Sequence, residues 1–153
     1  MASVDGPPWR VIGRERELAT IREFVAGIPA APRSLLLEGA VGIGKTTLWR
    51  AGLRAAQELS YHVLFCRSAE LESRLAFGAV IDLLAEVDDR VLKSLPAPQQ
   101  HALEVALLRR ETSRDVPVRP GEAAVGTLGA IRALARSAPV LIAIDDVQWL
   151  DAA

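Results

Sequence analysis

The chain has 153 residues, half of them hydrophobic and 24% charged, with a formal net charge of -1. That length suits one domain with a real core rather than two, and the composition excludes a disordered chain. The balanced charge gives no electrostatic footprint for nucleic acid or an anionic membrane, and a lone cysteine, Cys66, excludes an internal disulfide.

Residues 1–13, with Pro7 and Pro8 adjacent, read as an extended lead-in. They lack a basic region followed by an apolar stretch, so they do not read as a secretory signal, and a cytoplasmic location is the expectation. A helix is predicted from Arg14 or Glu15, with Leu18, Ile21, Phe24 and Val25 on one face and Gly27 with Pro29 as its stop. Leu35-Leu36-Leu37, bounded by Pro32 and Gly39, reads as a short buried strand. Thr46 to Leu59 is helical, with Leu48, Gly52, Ala55 or Ala56, and Leu59 along one side.

Tyr61 to Cys66 is rich in β-forming residues and gives a second strand. Helices are expected over Phe77 to Val87, over Gln99 to Arg110 behind Pro96 and Pro98, and over Glu122 to Arg136. Thr112 to Gly121, holding Pro117 and Pro120, reads as a loop between the last two. Val140 to Ile144 is the third strand and runs into Asp145-Asp146. Strands alternating with helices predict an α/β fold with a parallel sheet covered by helices, in which ligands sit at the carboxyl ends of the strands.

Two motifs fall at such strand ends. Gly39-Ala40-Val41-Gly42-Ile43-Gly44-Lys45-Thr46 fits the phosphate-loop pattern G-x-x-x-x-G-K-[ST] in full. Glycines let consecutive main-chain N–H groups turn inward around an anion, and the following helix adds its own unpaired N–H groups and dipole. Gly39, Gly42, Ile43, Gly44, Lys45, Thr46 and Thr47 are therefore the candidate contacts for the phosphates of ATP. Lys45 brings a mobile charge to the β- and γ-phosphates, the Thr46 hydroxyl is placed for Mg²⁺, and Thr47 is expected near the α-phosphate. Lysine occurs elsewhere only at Lys93, which makes Lys45 stand out.

The second motif is the apolar strand delivering Asp145 and Asp146. In phosphate-loop enzymes such a strand is the Walker B element: Asp145 would hold the Mg²⁺ shell, and Asp146 would position and deprotonate the attacking water. The competing possibility is that either carboxylate caps a helical turn starting near Val147. His62, His101 and Cys66 show no metal-ligand spacing and read as structural. Arg109 and Arg110 read as a solvated helix end, and Trp149 as a residue of the core, an interface or the rim of the site.

Ile12-Gly13-Arg14-Glu15-Arg16-Glu17-Leu18 resembles the "GRExEL" motif of the AAA-like signalling ATPases called STAND, and Asp145-Asp146-Val147-Gln148-Trp149-Leu150-Asp151 resembles their "DDxxWxD" signature. The chain is most similar to the ATPase region of large LuxR-type transcriptional regulators, a likeness that includes Leu75-Ala76-Phe77-Gly78-Ala79-Val80. The resemblance implies a nucleotide switch whose ADP and ATP states pack differently against downstream domains, with a nucleotide-dependent oligomer as a further expectation. It implies that Arg14 lies near the nucleotide, by the adenine or ribose, a role weighed against that of an exposed residue at a helix start. Many AAA relatives carry Glu where this chain has Asp146; the carboxylate is then retracted by about 1.5 Å, which bears on hydrolysis rate and not on binding.

The resemblance also implies a three-layer P-loop NTPase fold in which later strands flank the strand at Leu35 to Leu37 on both sides. The chain stops at Ala153, so the expectation is that residues 14–153 form the N-terminal part of a larger ATPase domain and that this strand lacks its neighbours. The leading functional expectation is a Mg²⁺-dependent, ATP-binding and ATP-hydrolysing switch domain. The alternatives are a nucleotide-binding module without turnover and, further off, a small-molecule kinase, for which no Arg-rich lid is visible. Nothing substitutes for a helix-turn-helix, so no direct contact with nucleic acid is assigned. The lack of a guanine-reading motif favours ATP over GTP.

Overall fold

A computed structural model describes residues 12–67, 77–110 and 119–150. The lead-in over residues 1–11, residues 75 and 76 of the middle motif, the loop over 112–118 and Asp151 of the last motif lie outside the described residues. The elements are helix α1 (Glu15–Ala26), helix α2 (Lys45–Glu58), strand β1 (His62–Arg67), helices α3 (Gly78–Leu84), α4 (Asp89–Lys93), α5 (Ala97–Ala106) and α6 (Pro120–Leu134), strand β2 (Val140–Asp145) and a 3₁₀ turn (Val147–Trp149). No helix among the described residues is long and apolar enough to cross a membrane.

β1 and β2 pair in parallel, with His62 opposite Val140 and Arg67 opposite Asp145. Both strands are near-continuous apolar runs, as strands covered on both faces must be. Alternate residues serve opposite faces. Val63 and Leu141 pack with Ile21, Val25 and Leu48 of α1 and α2, whereas Leu64 and Val140 pack with Leu84, Leu92, Leu103 and Leu134 from α3 to α6. The sheet therefore has helices on both sides, and its two neighbours in the ladder are separated in sequence by the whole α3–α6 crossover.

The helices follow from local chemistry. Gly27 closes α1, its N–H reaching the carbonyls of Glu23 and Phe24. Pro120 starts α6, where a missing N–H costs nothing, and Glu122 accepts from the N–H of Arg119 at 3.3 Å. The expected loop therefore ends at Arg119, because Pro120 and Gly121 are already helical. Helix α4 is an addition to the sequence reading, nucleated by Asp88, whose carboxylate accepts from the N–H of Arg90 at 2.7 Å. α5 runs from Ala97 to Ala106, so Arg109 and Arg110 lie past its end. Both remain on the exposed surface, where Arg109 pairs with Asp89 at 2.8 Å and Arg110 with Glu104 at 3.2 Å.

The expected strand at Leu35 to Leu37 is the main correction. Residues 32–40 form no strand; Leu35 and Leu36 are 39% and 70% exposed, and Leu37 alone packs on the α1–α2 core. An extended segment becomes a strand only when a neighbour takes its N–H and C=O groups, and none among the described residues does so. Between residues 32–37 and the free edge of β2 runs an apolar slot of about 520 Å³. Leu59, expected on the buried side of α2, is instead half exposed at the helix end.

Candidate functional site

The phosphate-loop residues form the turn into α2. Ile43 donates to the Ala40 carbonyl at 3.3 Å, and Gly44 is the residue that admits the chain to the helix. Gly42 and Gly44 have φ of +78° and +95°, a region that side chains with a Cβ rarely adopt, and a Cβ at either would meet nothing within 4 Å. The turn is thus open on the side where those missing carbons would stand. The N–H groups of Gly42, Gly44, Lys45 and Thr46 have no acceptor among the described residues. These donors share the positive end of the α2 dipole.

Lys45, the first residue of α2, folds back over the loop. Its Nζ donates to the carbonyls of Gly39 and Ala40 at 3.0 and 3.1 Å. The ammonium is held by two neutral acceptors, which an anionic oxygen would outcompete because charge-assisted bonds are about twice as strong. Arg14 reaches the same loop from the start of α1: Nη2 donates to the Ile43 carbonyl, and Nη1 lies 3.5 Å from Glu17. Arg14 is therefore bonded, from the start of α1, to the backbone of the loop ahead of α2.

β2 ends in Asp145, which is largely buried, at 14% side-chain exposure, and lies 3.9 Å from Arg67 Nε. Asp146 follows in the left-handed region at φ +57°, its Oδ1 accepting from Gln148 Nε2 at 3.1 Å. The 3₁₀ turn begins here, yet neither carboxylate caps it; the turn is closed by the Asp146 carbonyl, which accepts from Trp149 N at 2.9 Å. Asp145 and Asp146 are thus left for something other than capping.

Lys45, Asp145 and Asp146 line one cavity, the slot described above, together with Gln148. Thr46, Thr47, the loop glycines and Arg14 do not line it; they stand around the turn itself. Trp149 is 36% exposed and outside the lining, so it belongs to the surface and not the core. His62 and Cys66 are structural in place: His62 Nε2 is 2.8 Å from Ser137 Oγ beside the start of β2, and Cys66 is fully buried.

Two neighbours of the carboxylates were missing from the sequence reading. Gln148 had a local signal, two residues after Asp146, of the kind that side-chain to side-chain bonds in turns produce. Arg67 had none, because only the strand register brings it opposite Asp145.

A Mg²⁺–nucleotide fits this donor set. Thr46 and Asp145 offer hard oxygen ligands of the type Mg²⁺ takes, and the loop offers unpaired N–H groups and one ammonium for phosphate. No curated protein and no solved structure matches the chain. The family model described as AAA ATPase domain matches residues 10–153. The match covers nearly the whole chain and implies a P-loop fold; the chain belongs to the AAA ATPase domain family.

Proposed function

We propose that this chain binds ATP with Mg²⁺ and hydrolyses it as the nucleotide switch of a signalling or transcriptional regulator. Family membership supports ATP binding and hydrolysis. The observation that carries the site assignment is that Lys45, at the head of the phosphate-loop helix, shares a cavity with Asp145 and Asp146. The N–H groups of Gly42, Gly44, Lys45 and Thr46 would bind the phosphates, with Gly39, Ile43 and Thr47 completing the loop. Lys45 would leave its carbonyl partners for the β- and γ-phosphates. Thr46 and Asp145 would hold Mg²⁺, which when bound supplies charge neutralisation between those phosphates. Asp146 would orient water and accept its proton. Arg14 would hold the loop in shape beside the nucleotide. STAND and LuxR-type character rests on the resemblance of the two end motifs.

The finer fold reading belongs here too. The slot has the free edge of β2 on one side and unpaired extended backbone on the other, which supports a three-layer P-loop sheet completed by further strands between and beside them. A nucleotide-binding module with negligible turnover is favoured by one observation: the Asp146 carboxylate is engaged by Gln148 and is a short side chain.

Titration calorimetry with Mg-ATP and Mg-ADP tests binding, with Lys45→Ala expected to remove the heat. Phosphate release from wild type, Lys45→Ala and Asp146→Asn tests turnover. Equal release from all three leaves only the binding module, and wild-type heat that survives Lys45→Ala sinks the site itself.

A further inference from the structure

Arg67 is the charged group at the strand ends that the phosphate chemistry does not use. It closes β1, stands opposite Asp145 in the ladder, and its Nε lies 3.9 Å from Asp145 Oδ2. Its guanidinium carbon also lies 5.8 Å from the ring centroid of Trp49. Trp49 belongs to α2, one turn beyond Lys45, and packs edge-on against Phe65 of β1 with ring centroids 6.1 Å apart. Odd-numbered residues of β1 and β2 face α2, so Phe65, Arg67, Asp145 and Trp49 share one side of the sheet. The Trp49 indole N–H is buried with no acceptor, so the ring is held there by packing and by the cation above it, and not by a hydrogen bond.

The charge balance around Asp145 is equally specific. Of the two cations lining the cavity, Lys45 spends its hydrogen bonds on the carbonyls of Gly39 and Ala40, and Arg33 donates to the carbonyls of Glu23 and Phe24. Asp146 bonds to the neutral Gln148. Arg67 is the one cation within ion-pair distance of Asp145 among the described residues.

We propose that Arg67 is a positioning residue that holds the Asp145 carboxylate and competes with Mg²⁺ for it, so that metal binding is coupled through Arg67 and Trp49 to the phosphate-loop helix. This rests on the reading of Asp145 as a metal-linked carboxylate. A carboxylate that satisfies a divalent cation gives up its pull on the guanidinium, and the guanidinium is the counterweight resting on the α2 tryptophan. The competition is graded, because Arg67 is 51% exposed and water screens the pair; removing it is worth about a two- to fivefold change in an equilibrium constant.

The test measures ADP affinity of the full chain by calorimetry, once in EDTA and once in saturating Mg²⁺. The ratio of the two is the gain from the metal. Arg67→Ala should raise that ratio by about two- to fivefold, Arg67→Lys should keep it near the wild-type value, and in an Asp145→Asn background residue 67 should no longer matter. A merely structural role would shift both affinities together and leave the ratio unmoved. An unmoved or lowered ratio in Arg67→Ala overturns the proposal. Urea unfolding of Arg67→Ala, Asp145→Asn and the double variant provides an independent check, in which non-additive losses are expected and additive losses overturn the pairing. Absence of any nucleotide heat from the wild type would sink the metal-site reading together with this one, whereas additivity alongside normal binding sinks only this one.

Discussion

Replacing Gly44 by alanine separates backbone strain from steric crowding at the phosphate loop. The position has φ +95° and ψ +22°, and an added Cβ would touch nothing within 4 Å, so no side-chain overlap enters. What remains is the cost of holding an L-residue in the left-handed region, roughly 1–2 kcal/mol. The loop can absorb that cost in two ways. It can keep its shape, in which case folding stability falls by that amount. It can instead rotate toward negative φ, which swings the Gly44 N–H away from the anion side, and the loss appears in nucleotide affinity. Either way a folding or binding constant should drop by about five- to thirtyfold. Gly121 is the control: it too has open space around its missing Cβ, but it sits inside the first turn of α6 with no positive φ. Gly121→Ala should be neutral or stabilising by up to about 1 kcal/mol. The assays are urea unfolding of the full chain and calorimetry with Mg-ADP. If Gly44→Ala matches Gly121→Ala in stability and the wild type in affinity, the loop does not depend on the conformation described here.

Two further outcomes follow from the packing. Gly126→Ala would place a Cβ 2.8 Å from Leu103 Cγ and 3.0 Å from the Gln99 carbonyl, where α5 and α6 meet. Overpacking of about 1–3 kcal/mol should outweigh the helix-propensity gain of about 1 kcal/mol, lowering the melting temperature. Gly52→Ala, whose nearest atom is Ile21 Cγ2 at 3.4 Å, should raise it or leave it unchanged, and the reverse order would refute the interhelical distances. Arg14→Ala releases the Ile43 carbonyl and should weaken Mg-ADP binding by about three- to tenfold, the range of an ordinary hydrogen bond, because partial exposure screens the charge. Arg14→Lys should recover only part, because an ammonium does not reproduce the guanidinium fork, and calorimetry showing no loss in Arg14→Ala would make the contact incidental.

What could be read from the chain before folding was whatever has a local cause. Helices α1 and α2 were legible because Leu18, Ile21 and Val25, then Leu48, recur at helical spacing, and because Gly27 and the glycine loop mark an end and a start. The glycine turn ahead of α2 was legible because its pattern is contiguous in sequence. Helix α4 was missed although Asp88 supplied a cap, since five residues carry too little periodicity to register. The strand expected at Leu35 to Leu37 failed for a different reason: three leucines report a wish for burial, while strand formation depends on a neighbour that no local pattern specifies. The same limit hid Arg67. Its strand was expected to stop at Cys66, and only the parallel register of β1 with β2 sets that guanidinium beside Asp145.

That register also sets the contact order of the site. The ladder joins His62 to Val140, so its formation closes a very long loop, an entropic toll that short-range helix pairs escape. The glycine turn and the two helices beside it come from neighbouring chain, whereas the paired carboxylates are brought to the same sheet only across the α3–α6 crossover. A nick in that crossover would leave the carboxylate strand joined to the glycine turn by the β1–β2 ladder and the packing of Leu141 alone.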